Sequence, residues 1–349
     1  MVKMMQFQHE LLGQYRAQFI DESGRLWVTN GYNVCYSDDL GMQFSFRARL
    51  DAGRLRNFLG QWSLATRLTR AGFLHLRPLE DGSILGVVYG GIVRCEAESD
   101  MFAPVLQRPG RTMKLAVLPG GEIFAGEYFY NKQRDPVHIL RSGDGGRTWR
   151  GAYEFRPGEI RHIHSLNFDK RSNSILILTG DSDSESKVLL TNERFELIRV
   201  LLEGTQRSRA LAILPTGGGY FIATDTPYEQ NYIQFLSFDG VLSLRCPIAG
   251  SSLSGCQVGE WSFFATAAEP SSVNRDPSVT LYGACNGQPW HVIDRWRADR
   301  WSWPSRLQAA AFQMGRLIMP AGENGTGYLF GTPIAVLKHD GILHRWRLR

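Results

Sequence analysis

The chain has 349 residues, 43% hydrophobic and 21% charged, a balance that excludes a fibrous repeat and a long disordered tail and predicts a folded globular protein. Its formal net charge of +5 rests on arginine, because Lys3, Lys114, Lys132, Lys170, Lys187 and Lys338 are the only lysines among 39 basic residues. Acids interleave with these bases, as in DRWRADRW, so the continuous basic block of a nucleic-acid binder is missing and nucleic acid is not an expected partner.

At the N-terminus, MVKMMQFQHELLGQYRAQF is broken by His9, Glu10 and Arg16 before an apolar signal core develops. No run of about 18 apolar residues follows, so no membrane span is expected. The chain reads as cytoplasmic as sequenced, with a secreted chain trimmed of its leader as the alternative. Beyond this segment helical periodicity is hard to find, whereas short apolar runs recur between Gly, Pro, Asn and Asp clusters, the pattern of many short strands.

The first unit, RAQFIDESGRLWVTN from Arg16, is two apolar runs around an Asp/Gly turn. It is followed by HLRPLEDGSILGVVYG from His75, KLAVLPGGEIFAGE from Lys114, HSLNFDKRSNSILILTGD from His164 and RALAILPTGGGYFIATD from Arg209. QVGEWSFFATAAE from Gln257 and QMGRLIMPAGEN from Gln313 fit more loosely. These starts lie roughly 40 to 60 residues apart, and each unit continues into two more strand-like runs, such as VHILRS and WRGAYEF. Four short strands per unit is the blade pattern of a β-propeller. The sequence thus predicts an all-β fold, a single β-propeller domain over residues 1–349 with seven four-stranded blades, or six given the weak alignment of the last two units. Cys35, Cys95, Cys246, Cys256 and Cys285 are scattered without a CxxC pair, so neither a disulfide framework nor a zinc knuckle is predicted.

A second pattern occurs twice. SDDLGMQF at 37–44 and SGDGGRTW at 142–149 share Ser-x-Asp-x-Gly-x-x-aromatic. Gly tolerates positive φ, and Ser and Asp bond nearby backbone groups, so each reads as a tight turn pinned by Phe44 or Trp149. Both fall between the third and fourth strands of their blades, where a fastening role is expected rather than a catalytic one. SGDGGRTW resembles the Asp box, or BNR repeat, at every defined position, and SDDLGMQF does so except that Gln43 replaces Thr. With GEYFYNKQRDPVHILRSGDGGRTW, EIRHIHSLNFD, TGDSDSES, TDTPYEQNYI and PAGENGTGYLF, the chain is similar to bacterial BNR, sialidase-like propellers labelled glycosyl hydrolases. That resemblance implies a glycan-active propeller. The Arg-Ile-Pro motif of sialidases and their arginine triad with a Tyr-Glu pair are not found, which argues against sialic acid as substrate.

Because antiparallel strands alternate in direction, the start of strand one and the end of strand two share a face of the propeller. That face is expected to collect Arg16, His75, Lys114, His164, Arg209, Gln257 and Gln313, edged by Asn30, Tyr89, Glu127, Asp181, Asp225, Glu269 and Glu323. A cationic centre rimmed with carboxylates suits an acidic carbohydrate ligand and general acid/base chemistry. The first expectation is therefore glycoside hydrolysis of an acidic oligosaccharide or polysaccharide by a carboxylate pair, Glu127 with Asp181, then Asp225. The second is β-elimination from a uronate glycan, with His164 or Lys114 as base and Arg16 or Arg209 neutralising the sugar carboxylate. The third is a non-catalytic carbohydrate-binding or scaffold propeller. Arg16, His75, His162, Arg209, Gln257, Glu269, Gln313 and Glu323 are the expected substrate contacts. Tyr128 and Tyr130 in GEYFY are candidate proton donors. No cofactor is expected for hydrolysis, but His162 and His164, two apart in RHIHS, form with Asp181 or Asp183 a candidate divalent-metal site.

Overall fold

Runs such as SILILTG and GYFIAT, too apolar to leave either face in water, become the strands Ser174–Gly180 and Gly219–Thr224, buried along nearly their whole length. In the computed structural model, which describes residues 7–53, 63–287, 289–303, 305, 307 and 311–348, they belong to two of seven antiparallel sheets. The protein is a seven-bladed β-propeller.

In chain order, blade 1 is Arg16–Ile20, Leu26–Asn30, Asn33–Ser37 and Ser45–Arg49, with the two-residue strand Ala321–Gly322 added in parallel to its first strand. Blade 2 is His75–Pro78, Ile84–Val88, Gly91–Cys95 and Ala103–Gln107; blade 3 is Leu115–Val117, Ile123–Gly126, Val137–Ser142 and Arg150–Phe155. Blade 4 is His162–Asp169, Ser174–Gly180, Lys187–Thr191 and Ile198–Glu203; blade 5 is Ala210–Pro215, Gly219–Thr224, Asn231–Ser237 and Leu242–Ile248. Blade 6 is Ser252–Val258, Trp261–Thr266, Ser278–Cys285 and His291–Arg297. Blade 7 is Arg316–Ile318, Tyr328–Ile334 and His344–Arg347, completed by Gln8–Leu11 from the other end of the chain. The fourth strands are the most exposed, as in Ala103–Gln107 and Ser45–Arg49. In blades 1 to 6 a register shift between the third and fourth strands adds twist to the outer edge.

The contacts form two compact units, Phe73–Pro215 and Met1–Gly72 with Thr216–Arg349. Within Phe73–Pro215, Phe124 and Ile139 of blade 3 pack with Ile163 and Ile177 of blade 4, and Leu85 and Val87 of blade 2 with Ile123 and Leu140 of blade 3. Within the other unit, Phe263 and Leu281 of blade 6 pack with Leu317, Leu329 and Trp346 of blade 7.

The structure corrects the sequence reading in four places. A helix, Ser63–Thr69, interrupts the all-strand pattern, and it places the buried Arg67 against Asp299 and the Phe312 carbonyl. Blade 6 begins at Ser252, so Gln257 stands near the end of its first strand, beside Ser262, and away from the strand's start. The second strand of blade 7 is Tyr328–Ile334, which leaves Glu323 exposed in the connection that precedes it. Finally, Gln8–Leu11 is a strand that no local pattern announced. Among the described residues, no helix is long and apolar enough to cross a membrane.

The two Ser-x-Asp-x-Gly loops lie between third and fourth strands, as expected. Ser142 Oγ donates to Asp144 Oδ1 at 2.7 Å and accepts the Gly146 N–H at 2.8 Å. The Asp144 carboxylate also accepts the N–H groups of Arg147 at 3.0 Å and Thr148 at 2.9 Å, and the Thr148 hydroxyl at 2.6 Å. Burial opposes its charge, but these bonds, led by those from Thr148, outweigh it and hold the carboxyl far below the usual carboxylate range. Gly146, at φ +83°, lets the loop lie on Leu85 of blade 2, where a Cβ would come within 2.6 Å of that side chain. The buried Arg94 of blade 2 donates to the Gly145 carbonyl while pairing with Asp81 at 3.0 Å and Glu96 at 2.8 Å. The loop therefore fastens blade 3 to blade 2.

At Gln43 the first loop lacks the hydroxyl that Thr148 supplies to Asp144. Asp144→Ala is thus expected to lower stability by about 1–3 kcal/mol, and more than Asp39→Ala does, as read by urea denaturation. An Asp144→Ala variant with wild-type stability would overturn the fastening role.

Candidate functional site

Blade 4 carries the densest group of chemically active side chains in Phe73–Pro215. Its first strand opens with His162, which pairs with Gly180, and Ile163, which pairs with Thr179, but the next pair is Ser165 with Leu178. His164 is the extra residue of a bulge, released from the ladder. Its ring turns over Gly180, where a Cβ would stand 2.5 Å from the imidazole. Glycine at 180 is what makes room for it. The following residue, Asp181, then meets both imidazoles: His164 Nε2 lies 3.2 Å and His162 Nε2 3.5 Å from Asp181 Oδ1.

Both histidines are buried. His164 Nδ1 is 3.0 Å from the Ala210 carbonyl, and His162 Nδ1 is 3.4 Å from the Phe129 carbonyl. A carbonyl can only accept, so each ring is oriented to keep its proton on Nδ1 and to offer a lone pair at Nε2. Burial lowers the His164 pKa, with Asp181 opposing, which disfavours protonating the second nitrogen. His162 Nε2 is buried without a hydrogen-bond partner among the described residues. Two lone pairs facing an ionised carboxylate oxygen repel unless protons or a metal cation lie among them, and anchoring of imidazoles through Nδ1–H to backbone carbonyls is the usual second layer of a metal site. One ligand atom from each of His162, His164 and Asp181 lies within 4.8 Å of the others, so these residues fit a divalent cation.

Asp181 is held firmly. Arg161 reaches Oδ2 at 3.1 Å, Arg209 reaches Oδ1 at 3.2 Å, and Arg209 also donates to the Asp181 carbonyl at 3.2 Å. Burial works against the carboxylate; ring protons of His162 and His164 directed at it, with Arg209, outweigh burial and hold it far below the usual range, and a cation in the place of those protons would do the same. Behind it, Ser182 and Glu185 form a capping box around Asp183–Glu185, and Arg134 pairs with the buried Glu185 at 2.5 Å. Gln206 donates to the Asp181 carbonyl at 3.2 Å and to Asp183 at 2.8 Å. Tyr128 stacks on His162 with centroids 4.0 Å apart, and the Arg111 guanidinium lies 4.8 Å from the Tyr128 ring centroid. Tyr130 is 74% exposed, flanked by Lys132 and Arg161.

Of the residues singled out in the sequence, His162, His164, Asp181 and Arg209 come together. Asp183 does not join the ligand group; it serves as an acceptor for Gln206. Glu127 is committed elsewhere, its Oε2 accepting both the backbone N–H and the Nδ1 of His138 at 2.9 Å. Lys114 donates to Asn167 Oδ1 at 2.7 Å. His75 is buried, and burial with the charges of Lys114 and Arg77 lowers its pKa to about 3, so it is not the cationic member expected. Arg16, Asp225, Gln257, Glu269, Gln313 and Glu323 belong to the other unit. There Asp225 is buried, Glu269 is partly exposed, Arg16 lies over Gly72, and Gln313 donates to the Arg67 carbonyl at 3.0 Å. Sequence reasoning missed Arg161, Glu185 and Gln206. The Ser182-to-Glu185 spacing was a usable signal for the second.

Compared with protein-family models the chain matches none, and it matches no curated protein by sequence. Solved structures do resemble it. An oligogalacturonate lyase in complex with manganese superposes with TM-score 0.59 at 10% identity, covering 98% of this chain and 93% of that one. YCF48 bound to D1 peptide gives 0.56 at 11%, covering 100% and 98%. The GH74 enzyme of Niastella koreensis gives 0.56 at 12%, covering 96% of this chain and 53% of that enzyme, so this chain spans about half its length. At these identities the likeness is one of fold.

The pairing of Gly180 with His164 can be measured. Gly180→Ala is expected to cost about 1–3 kcal/mol by forcing the imidazole aside, and to cost almost nothing in a His164→Ala background, since the clash is then gone. Equal losses in the two backgrounds, by thermal or urea unfolding, would show that the glycine serves the backbone instead.

Proposed function

We propose that this propeller is a glycan-active enzyme that cleaves a uronate-containing oligosaccharide by β-elimination at the end of blade 4, with a divalent cation held by His162, His164 and Asp181. The observation that carries this reading is the convergence of two Nδ1-anchored imidazoles on one ionised carboxylate. Hydrolysis by two carboxylates draws less support, because Asp181 is fixed in its charged form and Glu127 is engaged by His138. The resemblance in fold to an oligogalacturonate lyase is consistent with the same class.

The bound cation would neutralise the sugar carboxylate and so acidify the adjacent C–H. Tyr130 offers an exposed ring for a sugar face, and Arg161 beside it a guanidinium for a second uronate. An open groove of about 470 Å³, lined by Tyr89, Leu106, Arg108 and Pro109 in the same unit, gives a longer chain a further place to lie. With the C5 proton passed to solvent, the electron pair forms the C4–C5 double bond as the C4–O bond breaks, and the leaving oxygen takes a proton from solvent.

The test uses the full chain, stripped with a chelator, incubated with oligogalacturonates with and without Mn²⁺, and read by mass spectrometry. Elimination predicts products whose masses sum to that of the substrate and carry an unsaturated end, formed only with the metal. His164→Ala is expected to lower turnover by about 10²-fold or more, while carboxyl-reduced oligosaccharides go uncleaved. Products that gain water would replace elimination with hydrolysis, and retention without cleavage would make the propeller a binding module.

A further inference from the structure

A second set of donors lies where blade 7 takes its outer strand from the N-terminal segment. His9 faces Trp346 and Leu11 faces His344 across this strand pair, which puts the two histidines diagonal to one another. Their rings stack with centroids 4.7 Å apart, and His9 Nε2 is 2.7 Å from His344 Nδ1. Asp294, from the last strand of blade 6, completes a group in which one ligand atom per residue lies within 4.8 Å of the others. His344 is fully buried against Trp296 and Trp346, and its Nε2 has no hydrogen-bond partner among the described residues. Among the described residues, the hydrogen bond of that ring is to His9. Asp294 accepts the Arg295 N–H at 2.7 Å through Oδ1, and a shared proton between the two imidazoles does not draw its carboxylate into the group.

We propose that His9, His344 and Asp294 bind a divalent cation of the zinc class, which clasps the two ends of the chain. Two imidazoles and one carboxylate form a borderline nitrogen and oxygen set that favours Zn²⁺, Co²⁺ or Ni²⁺ over Mg²⁺ or Ca²⁺. With metal–nitrogen bonds of about 2.0–2.1 Å, two tetrahedral ligands stand about 3.3 Å apart, so the ring nitrogens must separate only slightly from 2.7 Å. His9, the exposed member, would make that movement by sliding on the His344 and Trp346 rings against which it stacks. The ion would join positions 335 residues apart in sequence to a strand of blade 6. Closing so long a loop is entropically costly, and a ligand present only in the closed state stabilises it by mass action. This site shares no residue with the blade 4 cluster and does not depend on the activity proposed for it.

The experiment titrates the chelator-stripped full chain with Zn²⁺ alone, by calorimetry and thermal unfolding. Wild type is expected to bind one more ion than His9→Gln, and its Tm to keep rising with Zn²⁺ above saturation by more than the variant's does. Asp294→Asn, which leaves the histidine pair in place, should weaken binding at the same site at least tenfold. Should blade 4 hold no metal, the counts become one and zero and the difference survives. Equal stoichiometry and equal Tm gain in wild type and both variants overturn the clasp.

Discussion

A twisted four-stranded sheet whose first two strands are apolar on both faces cannot bury either face alone. In HIHSLNFD and SILILTG almost every position is buried, so there is no solvent side to which a polar residue could be turned. Neighbouring blades must cover both faces, as Phe124 and Ile139 do for Ile163 and Ile177. Any polar side chain retained on such strands then needs a fixed partner, because a buried unpaired donor or acceptor costs about 1–3 kcal/mol.

The strand ends are where this demand is met. Lys114 from blade 3 finds Asn167 of blade 4, Ser165 finds the Leu211 carbonyl of blade 5, and His164 finds the Ala210 carbonyl. These bonds do for polar groups what the apolar clusters do for the middle of the sheet. They also fix side chains with little freedom to reorient, which is the property a reactive or metal-binding group requires. The bulge at His164 and the missing side chain at Gly180 together redirect one residue out of the ladder without disturbing the pairs on either side.

Sequence periodicity exposed blades 1 to 5 because their second strands, LWVTN, ILGVV, IFAG, SILILTG and GYFIAT, are largely apolar runs that follow a polar or Gly-containing turn. Blade 6 was read to start late, at Gln257, because SLSGCQV mixes serine, glycine and glutamine into its first strand and only the end before the turn to WSFFAT stood out. The strand Gln8–Leu11 was illegible for a different reason: its partner is at the far end of the chain, and no local pattern encodes a closure of that kind. At the site, the spacing of His162 and His164 and the acid after SILILTG were visible in the sequence. What was not visible was how their charges would be compensated. Glu127 looked like a twin of Asp181 in its blade, yet it bonds His138 across the same sheet, whereas Asp181 is met by residues on either side of its own strand pair. Equivalent positions in successive blades share a backbone, and their chemistry is set by what the connecting loops bring to them.

The two imidazole–carboxylate groups differ in the same way. Around Asp181, two arginines, a capping box and Gln206 over-determine the carboxylate, so a cation there would find ligands already in place and gain little by ordering them. That suits a site meant to leave part of the cation open to a substrate. At the seam, burial raises the Asp294 pKa and one histidine is exposed, so the ligands are less committed before binding. A cation there would complete the arrangement, and the free energy of binding would appear as stability of the closed blade instead of as readiness for reaction. Preorganisation would thus separate the site proposed to act from the one proposed to hold, although both use the same residue types.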